Sequence, residues 1–527
     1  MKRCPECRRD YIDDTLAFCF DDGTPLIVPS AGVDEPATAM LPQPQVASAG
    51  EKPASSGHVY EPQPRSIAVL PFVNMSADTE NEYFCDGLSE ELINALANID
   101  ELKVAARTAA FSFRGKNAPM DEIGRTLNVN SILEGSVRKA GNRVRITVQL
   151  INAADGYHIW SERFDRDMQD IFEIQDEITL SVVDALKLKL LAPEKQAMLK
   201  RHTNDPEAYQ LYLRGRHFFY KRTPEGFFKA IECFEKAIEI DKDYALAISG
   251  MADSYVFLGF YEMIPPSEAA AHVRPLVDRV MKIDETSPES NTSRALLTTL
   301  YDWDHEGSLE FFEKAVSADP KYAFAYHLES AVSAILGRFD RAFAAEKRAI
   351  DLDPFTPVFN ASLAWWYYLA DQKELAIAQC KHTIDFAPNH FFAYWVLGNV
   401  YAAQRSFSDS IVAFQQAVAL NQFEAHVRAD LARVFGTMGE REAALEILAE
   451  FEELSTKQYV SPANVAKIYI GLGEDEKAIE HLERACQERA VRLCWVLADP
   501  CLERLHHDAR FKDIRRRSGF PVTAGQS

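Results

Sequence analysis

Three cysteines near the N-terminus have the types and spacing that best match a defined chemistry. Cys4 and Cys7 are separated by two residues in CPEC; eleven residues later Cys19 opens CFDD, with Asp22 where a second CxxC would place its fourth thiol. Two thiolates at that spacing can turn onto one ion through a tight knuckle, which suits tetrahedral Zn²⁺. One reading is a structural Zn²⁺ held by Cys4, Cys7 and Cys19, with Asp22 as an oxygen ligand. The other is a hairpin of reduced thiols, or a degenerate site in which Asp22 only shapes its DG turn. No organic cofactor is expected.

The run CPEC followed by FCFDDGTPL is similar to short bacterial zinc-ribbon elements of the form CPxC and FCxxDGxxL. Such ribbons also bind nucleic acid, and Lys2, Arg3, Arg8 and Arg9 would fit that use. Against it stand the acidic CFDDG and a formal net charge of -22, which repels phosphate backbones. Nucleic acid is therefore not expected as the main partner. Residues 1–28 read as a small recognition knob, and residues 29–64, rich in Pro, Ala, Ser, Gly and Gln without hydrophobic periodicity, read as its disordered linker.

The rest of the chain lacks the motifs of the common catalytic classes. It contains no GxxxxGK[ST] phosphate loop, HExxH, GxSxG elbow or kinase HRD and DFG pair. The glycine of CDGLSEE reads as a turn or cap residue, and Asp176 and Glu177 fall on a solvated helix face. The expectation is a protein that is not an enzyme.

A chain of 527 residues exceeds one core, and a prior of roughly 100–200 residues per domain gives about three units. Hydrophobic residues at 47% and charged residues at 26% supply enough apolar material to fold them. No apolar run reaches the roughly 20 residues that span a bilayer, so no membrane span and a cytoplasmic location are expected. The densest stretch, ASLAWWYYLA at 361–370, sits inside a helical repeat. Six of the nine cysteines are scattered and read as core residues rather than as a disulfide framework.

From Ser66 short strands alternate with helices. SIAVLPF (66–72) and LKVAAR (102–107) read as strands, 85–99 as a helix with Asp86 near its N-cap, and 119–128 as a further helix. SILEGSVRK, RVRITVQLIN and YHIWSERF alternate apolar with polar residues around the turns AGN and AADG, which predicts an antiparallel meander. A long helix over 167–190 completes an α+β domain at 65–192.

The motifs SIAVLPFVNMS, EYFCDGLSEELINAL, ILEGSVRKAGNRVRITVQL and GYHIWSERFDRDMQDIFEIQDEI resemble the TolB N-terminal-like domain, related to CsgG and FlgO proteins. In that family the domain often follows a membrane helix, a class III nucleotide cyclase, a protein kinase or a winged-helix domain, none of which is read in this chain. The resemblance implies a bacterial regulatory setting and permits a second function, in which the α+β domain binds a nucleotide or other small molecule.

Pro320, Pro354 and Pro388 recur every 34 residues, the tetratricopeptide (TPR) period. Within it Ala342 and Ala349, then Ala376, then Gly398, Phe414 and Ala417 take the small and large packing positions, as do Ala230, Phe234 and Ala237 earlier. About eight repeats are predicted over 205–490, the outer ones degenerate, closed by a helical cap at 491–519. The fold class is thus multidomain: a zinc-ribbon-like element, an α+β domain with a mixed sheet, and an all-α TPR superhelix.

Stacked TPR helices leave a concave face for ligands. The family's groove positions fall here on Phe324, His327, Trp365, Tyr368, Phe392, Trp395 and Asn399, an aromatic set without the basic pattern of a carboxylate clamp. A protein or peptide with hydrophobic anchors is the partner this surface suits. The same aromatics would equally serve if they packed against the chain's own α+β domain or completed the inter-repeat core. The sequence carries no signal for an oligomeric state.

Overall fold

The computed structural model describes residues 2–3, 10–11, 65–76, 81–192, 194–195, 199, 201–421 and 425–520. Cys4, Cys7, Cys19 and Asp22, and the expected linker, lie outside the described residues. Contacts divide the chain into two units, 1–62 and 63–527. In the first, β1 (Lys2–Arg3) pairs antiparallel with β2 (Asp10–Tyr11).

The second unit begins with a six-stranded mixed sheet built from β3 (Arg65–Val69), β4 (Val73–Asn74), β5 (Leu102–Val104), β6 (Ser131–Ala140), β7 (Arg143–Asn152) and β8 (His158–Asp167). The order is β5-β3-β6-β7-β8, with β4 pairing the far end of β6. β3 runs parallel to β5 and β6, and β6 to β8 form the antiparallel meander. Ile67, Ala68 and Val69 are fully buried because both faces of β3 are covered. Helices α1 (Glu82–Ala97) and α4 (Ile171–Ala185) share one apolar cluster with Ile67, Val69 and Leu133, while Ile123 of α3 (Met120–Leu127) packs with Ile132 in another.

Several boundaries differ from the expectation for identifiable reasons. The strand predicted over 66–72 stops at Val69, ahead of Pro71, which has no N–H for a ladder, and β4 follows at Val73–Asn74. The strand predicted over 102–107 stops at Val104, and α2 (Arg107–Phe111) follows. The helix predicted over 167–190 is α4 preceded by a 3₁₀ turn at Met168–Asp170. Asp86 is no N-cap: α1 starts four residues earlier, and Asn81 takes that place. Gly87, read as a turn or cap residue, is inside α1, where a Cβ would stand 2.6 Å from Leu213 Cδ1.

Among the described residues eight helix pairs follow, the first being Pro206–Phe219 with Pro224–Ile240 and the last Pro462–Leu472 with Asp475–Gln487. Proline in the first turn, where its missing N–H costs nothing, starts several of them, and Asp205, Thr223, Ser287 and Ser461 accept backbone N–H bonds as N-caps. Ala230, Phe234, Ala237, Ala342, Ala349, Ala376, Phe414 and Ala417 are all fully buried, as the repeat pattern requires. Five of the six scattered cysteines are buried and Cys501 is half-buried. No helix among the described residues is long and apolar enough to cross a membrane.

The α+β domain and the first repeat share one core. Leu88, Leu92 and Leu96 of α1 belong to the same apolar cluster as Tyr209, Tyr212, Leu213 and Phe234. Ions reinforce the junction: Glu90 accepts from Arg107 Nε at 3.0 Å and Arg216 Nη2 at 2.8 Å, and Asp86 pairs with Arg114 and His217. Burial would raise the carboxyls of Asp86 and Glu90, but these cationic and hydrogen-bonding neighbours hold both below the usual range.

Candidate protein-binding face

The first helices of neighbouring repeats bring the predicted aromatics together as one ladder. Tyr368 and Trp365, three residues apart on helix Pro357–Leu369, have ring centroids 4.8 Å apart; Trp365 lies 4.3 Å from Trp395 of helix Phe391–Ala403, and Trp395 stacks on Phe392 at 5.3 Å. The sequence therefore identified a contiguous strip.

That strip is covered. Trp365 is 2% exposed, Tyr368 3%, Trp395 5% and Asn399 0%, so the expected open aromatic groove is closed in this structure. Phe324 and Phe392 are half-buried. His327 is buried within its own repeat, where its Nδ1 meets Glu346 Oε1 at 2.9 Å. Ser330 and Trp366 Nε1 donate to the same Glu346 carboxylate.

The covering material is the chain's own C-terminal segment. Val491 and Trp495 pack with Phe324 and Leu328, and Trp495 also reaches the cluster of Trp365, Tyr368 and Trp395. Trp495 meets Phe260 edge-on at 5.6 Å, and Arg492 donates to His426 Nδ1 at 3.1 Å. These contacts touch first helices from the second repeat to the seventh. The segment itself consists of helix Leu493–Ala498 and a 3₁₀ stretch, Pro500–His507.

A buried ion network fastens this segment to the ladder. Asp430, on helix Ala425–Met438, accepts from Trp395 Nε1 at 2.9 Å, Lys467 Nζ at 2.8 Å and Arg433 Nε at 3.0 Å. Arg433 Nη2 also donates to Asn399 Oδ1 at 2.8 Å. From the segment, Asp499 places Oδ2 3.0 Å from Lys467 Nζ and accepts from Tyr368 Oη through Oδ1 at 3.1 Å. Asp499 Oδ1 also caps the 3₁₀ stretch through Cys501 N. Burial disfavours the charge on Asp430, but Lys467 and Arg433 outweigh it and keep the carboxylate ionised far below its ordinary range; burial likewise works against Lys467, and Asp430 and Asp499 push it up.

Asp430, Arg433, Lys467 and Asp499 were absent from the sequence-predicted set, although a signal existed. Trp365, Asn399, Arg433 and Lys467 recur every 34 residues, so the groove position that selected the first two also marks the last two.

A second feature lies at the junction of the α+β domain and the first repeat. A cleft of about 470 Å³ is lined by Tyr83, Phe218, Arg214, Lys221, Lys229 and Lys236, together with Glu82 and Glu232. Lys221 and Lys229 stand 5.1 and 5.5 Å from the Phe218 ring centroid. Among the described residues no group of three or more His, Cys, Asp or Glu side chains is placed to hold a metal ion.

Comparison with known proteins agrees with the repeats. A tetratricopeptide repeat model matches residues 229–244 and 463–490, so the chain contains TPR repeats. Residues 63–181 match the second domain of HilA/YgeH-like transcriptional regulators, in place of the TolB N-terminal-like domain that the motifs resemble. Over 197 residues the chain is 41% identical to Putative adenylate cyclase 3 of Rhizobium meliloti (strain 1021), covering 36% of this chain and 34% of that protein. Over 169 residues it is 20% identical to the Transcriptional regulator HilA of Salmonella typhimurium, 31% of this chain and 30% of the relative. The chain thus spans about a third of the length of these relatives. Among solved structures, yeast Tom70 aligns with a TM-score of 0.39 at 16% identity, over 66% of this chain and 82% of that one.

Proposed function

We propose that this protein is a non-catalytic scaffold that binds another protein or peptide through the concave face of its TPR array, within a regulatory assembly. The observation that carries this reading is that the face already meets polypeptide from the C-terminal segment, with Trp495 packed against the aromatic strip and Asp499 ion-paired to Lys467. The names of the two relatives, an adenylate cyclase and a transcriptional regulator, support the regulatory setting. Quantitative affinity purification of the full chain from its native cell tests it. A partner recovered in stoichiometric amount and lost on Trp395→Asp substitution is the expected result, and cyclic AMP formation by the purified chain with ATP and Mg²⁺ would contradict the non-catalytic part.

The basic cleft favours a second reading, in which the junction binds a nucleotide or another small anion. Three lysines and an arginine around two aromatic rings offer both charge and stacking in a protein that is otherwise acidic. Calorimetric titration of the full chain with ATP, GTP and cyclic nucleotides tests this; saturable binding abolished by the pair Lys229→Glu and Lys236→Glu supports it, and no heat with any of them removes it.

The N-terminal cysteines enter the same proposal as a structural Zn²⁺ site of Cys4, Cys7 and Cys19 with Asp22, on the strength of their spacing. Metal analysis of the purified chain, beside its Cys4→Ser and Cys7→Ser variant, is expected to find one zinc lost on substitution. Absence of zinc from the unaltered chain removes the site.

A further inference from the structure

We infer that two copies of this chain associate through β8, which pairs antiparallel with its own counterpart about a two-fold axis at Phe164. The inference concerns the α+β domain and stands apart from the scaffold reading.

The two edges of the sheet are unlike. At one end β5 has three residues, and a very short strand is a common way to keep an edge from recruiting another. At the other end β8 has ten, and no strand among the described residues pairs with its outer side. Along it only Phe164 is buried, while Ser161, Glu162, Arg163, Arg166 and Asp167 are exposed. Tyr157 and Ile159, at its start, are 75% and 45% exposed. The outer side of β8 thus offers a row of backbone N–H and C=O groups to a further strand.

Charged side chains guard such edges, so their order decides which strand the edge accepts. The sequence Glu162-Arg163-Phe164-Asp165-Arg166 reverses sign, position by position, when read backwards. In an antiparallel pair centred on Phe164, Glu162 faces the copy's Arg166 and Arg163 faces the copy's Asp165, each contact occurring twice by symmetry. Moving the axis one residue either way sets Arg163 or Asp165 against itself, and like charges directly opposite are destabilising. The strand that matches this edge is β8 itself, in one register.

Within one chain these charges are only partly used. Asp165 pairs with Arg143 and Arg145, and Arg166 stands 3.6 Å from Glu177. The side chains of Glu162 and Arg163 have no ion pair among the described residues. The bulge opposite Leu150 and Ile151 falls before Ser161, so residues 161–167 run regularly across the contact. Only the strand order, which puts β8 at the edge, gives the charge pattern this meaning.

Sedimentation equilibrium of the full chain, from about 1 µM to about 200 µM, is expected to show a reversible dimer. Glu162→Arg and Arg166→Glu, each alone, set like charges face to face and are expected to weaken the dimer about tenfold or more. Mixed in equal amounts, the two variants regain opposite charges at every position and are expected to associate as tightly as the unaltered chain. Circular dichroism establishes that each variant folds; if one does not, Arg163→Asp, which faces Asp165 in the same register, is expected to weaken the dimer alike. A monomer at every concentration leaves the edge to another occupant and overturns the inference. A dimer that neither substitution weakens, or a mixture that fails to re-form it, overturns it as well. The scaffold reading is judged separately, by the partner lost on Trp395→Asp.

Discussion

Two regions of this molecule bury ion pairs against apolar surface, and they differ in what surrounds the ions. At the junction of the α+β domain and the first repeat, Glu90 and Asp86 flank a continuous apolar core in which Leu88 and Leu92 meet Leu213 and Phe234. On the face of the first helices, Asp430, Arg433, Lys467 and Asp499 stand between the aromatic strip and a segment whose Leu493, Leu497, Leu502 and Leu505 also join the apolar core of the last helix pair. Ions at the rim of a core add direction to a permanent union. Ions enclosed in a contact hold it only while every charge keeps its partner, because removing one leaves another buried and uncompensated.

The largest expected effect comes from removing the anion at the centre. Asp430→Ala leaves Arg433 and Lys467 facing only Asp499 and takes a partner from Trp395, and should cost about 3–5 kcal/mol in urea unfolding. A loss below about 1 kcal/mol would mean that water reaches the network. Comparable in size, Phe234→Ala at the fully buried junction should cost about 3–4 kcal/mol and lower the stability of the sheet and the first repeats together. Separate transitions for the two would break the claim of a shared core.

Acidity acts through carboxyls shifted in opposite directions. At the junction, burial and the neighbouring Glu90 push Glu91 up to about 7, and on helix Ala245–Phe260 burial pushes Asp253 up to about 7. Unfolded carboxyls titrate near about 4. Between these values the folded state binds more protons than the unfolded one, so stability should fall as pH rises from about 4 to about 7. Asp430 is shifted downward, so its contribution is present above about pH 4 and is lost as pH falls below that. Urea melts across pH 3 to 8 should show both limbs; Glu91→Gln should flatten only the upper one. The smallest effect expected is that of Tyr368→Phe, which deletes the hydroxyl bonded to Asp499 and should cost about 1 kcal/mol, felt at residues 491–507 first.

How much was legible in the sequence follows the range of the interactions. The 34-residue period and the placement of Ala230, Phe234, Ala342 and Phe414 are local, repeated signals, and they located the helix pairs. Membership of Trp365, Tyr368, Phe392 and Trp395 in one strip also follows from that period. Their burial does not, because it depends on Asp499 meeting Tyr368 across 131 residues, a pairing without periodicity. Asp86 was misread for the same reason. Its acidic side chain near a helix start imitates a cap, whereas its partners Arg114 and His217 are 28 and 131 residues away. His327 has the spacing of a groove residue, but Glu346 on the paired helix draws it inward.

The most direct measurement is amide hydrogen exchange on the full chain, with and without Asp499→Asn. Local loosening is the predicted result: with the Asp499 charge beside Lys467 removed, amides of residues 493–507 exchange at least tenfold faster, while those of Pro206–Phe219 and Pro224–Ile240 at the junction are unchanged. Uniform acceleration across the whole array, or none at 493–507, would contradict the account, because the Asp499 ion pair would then not be what fixes the segment against the aromatic strip.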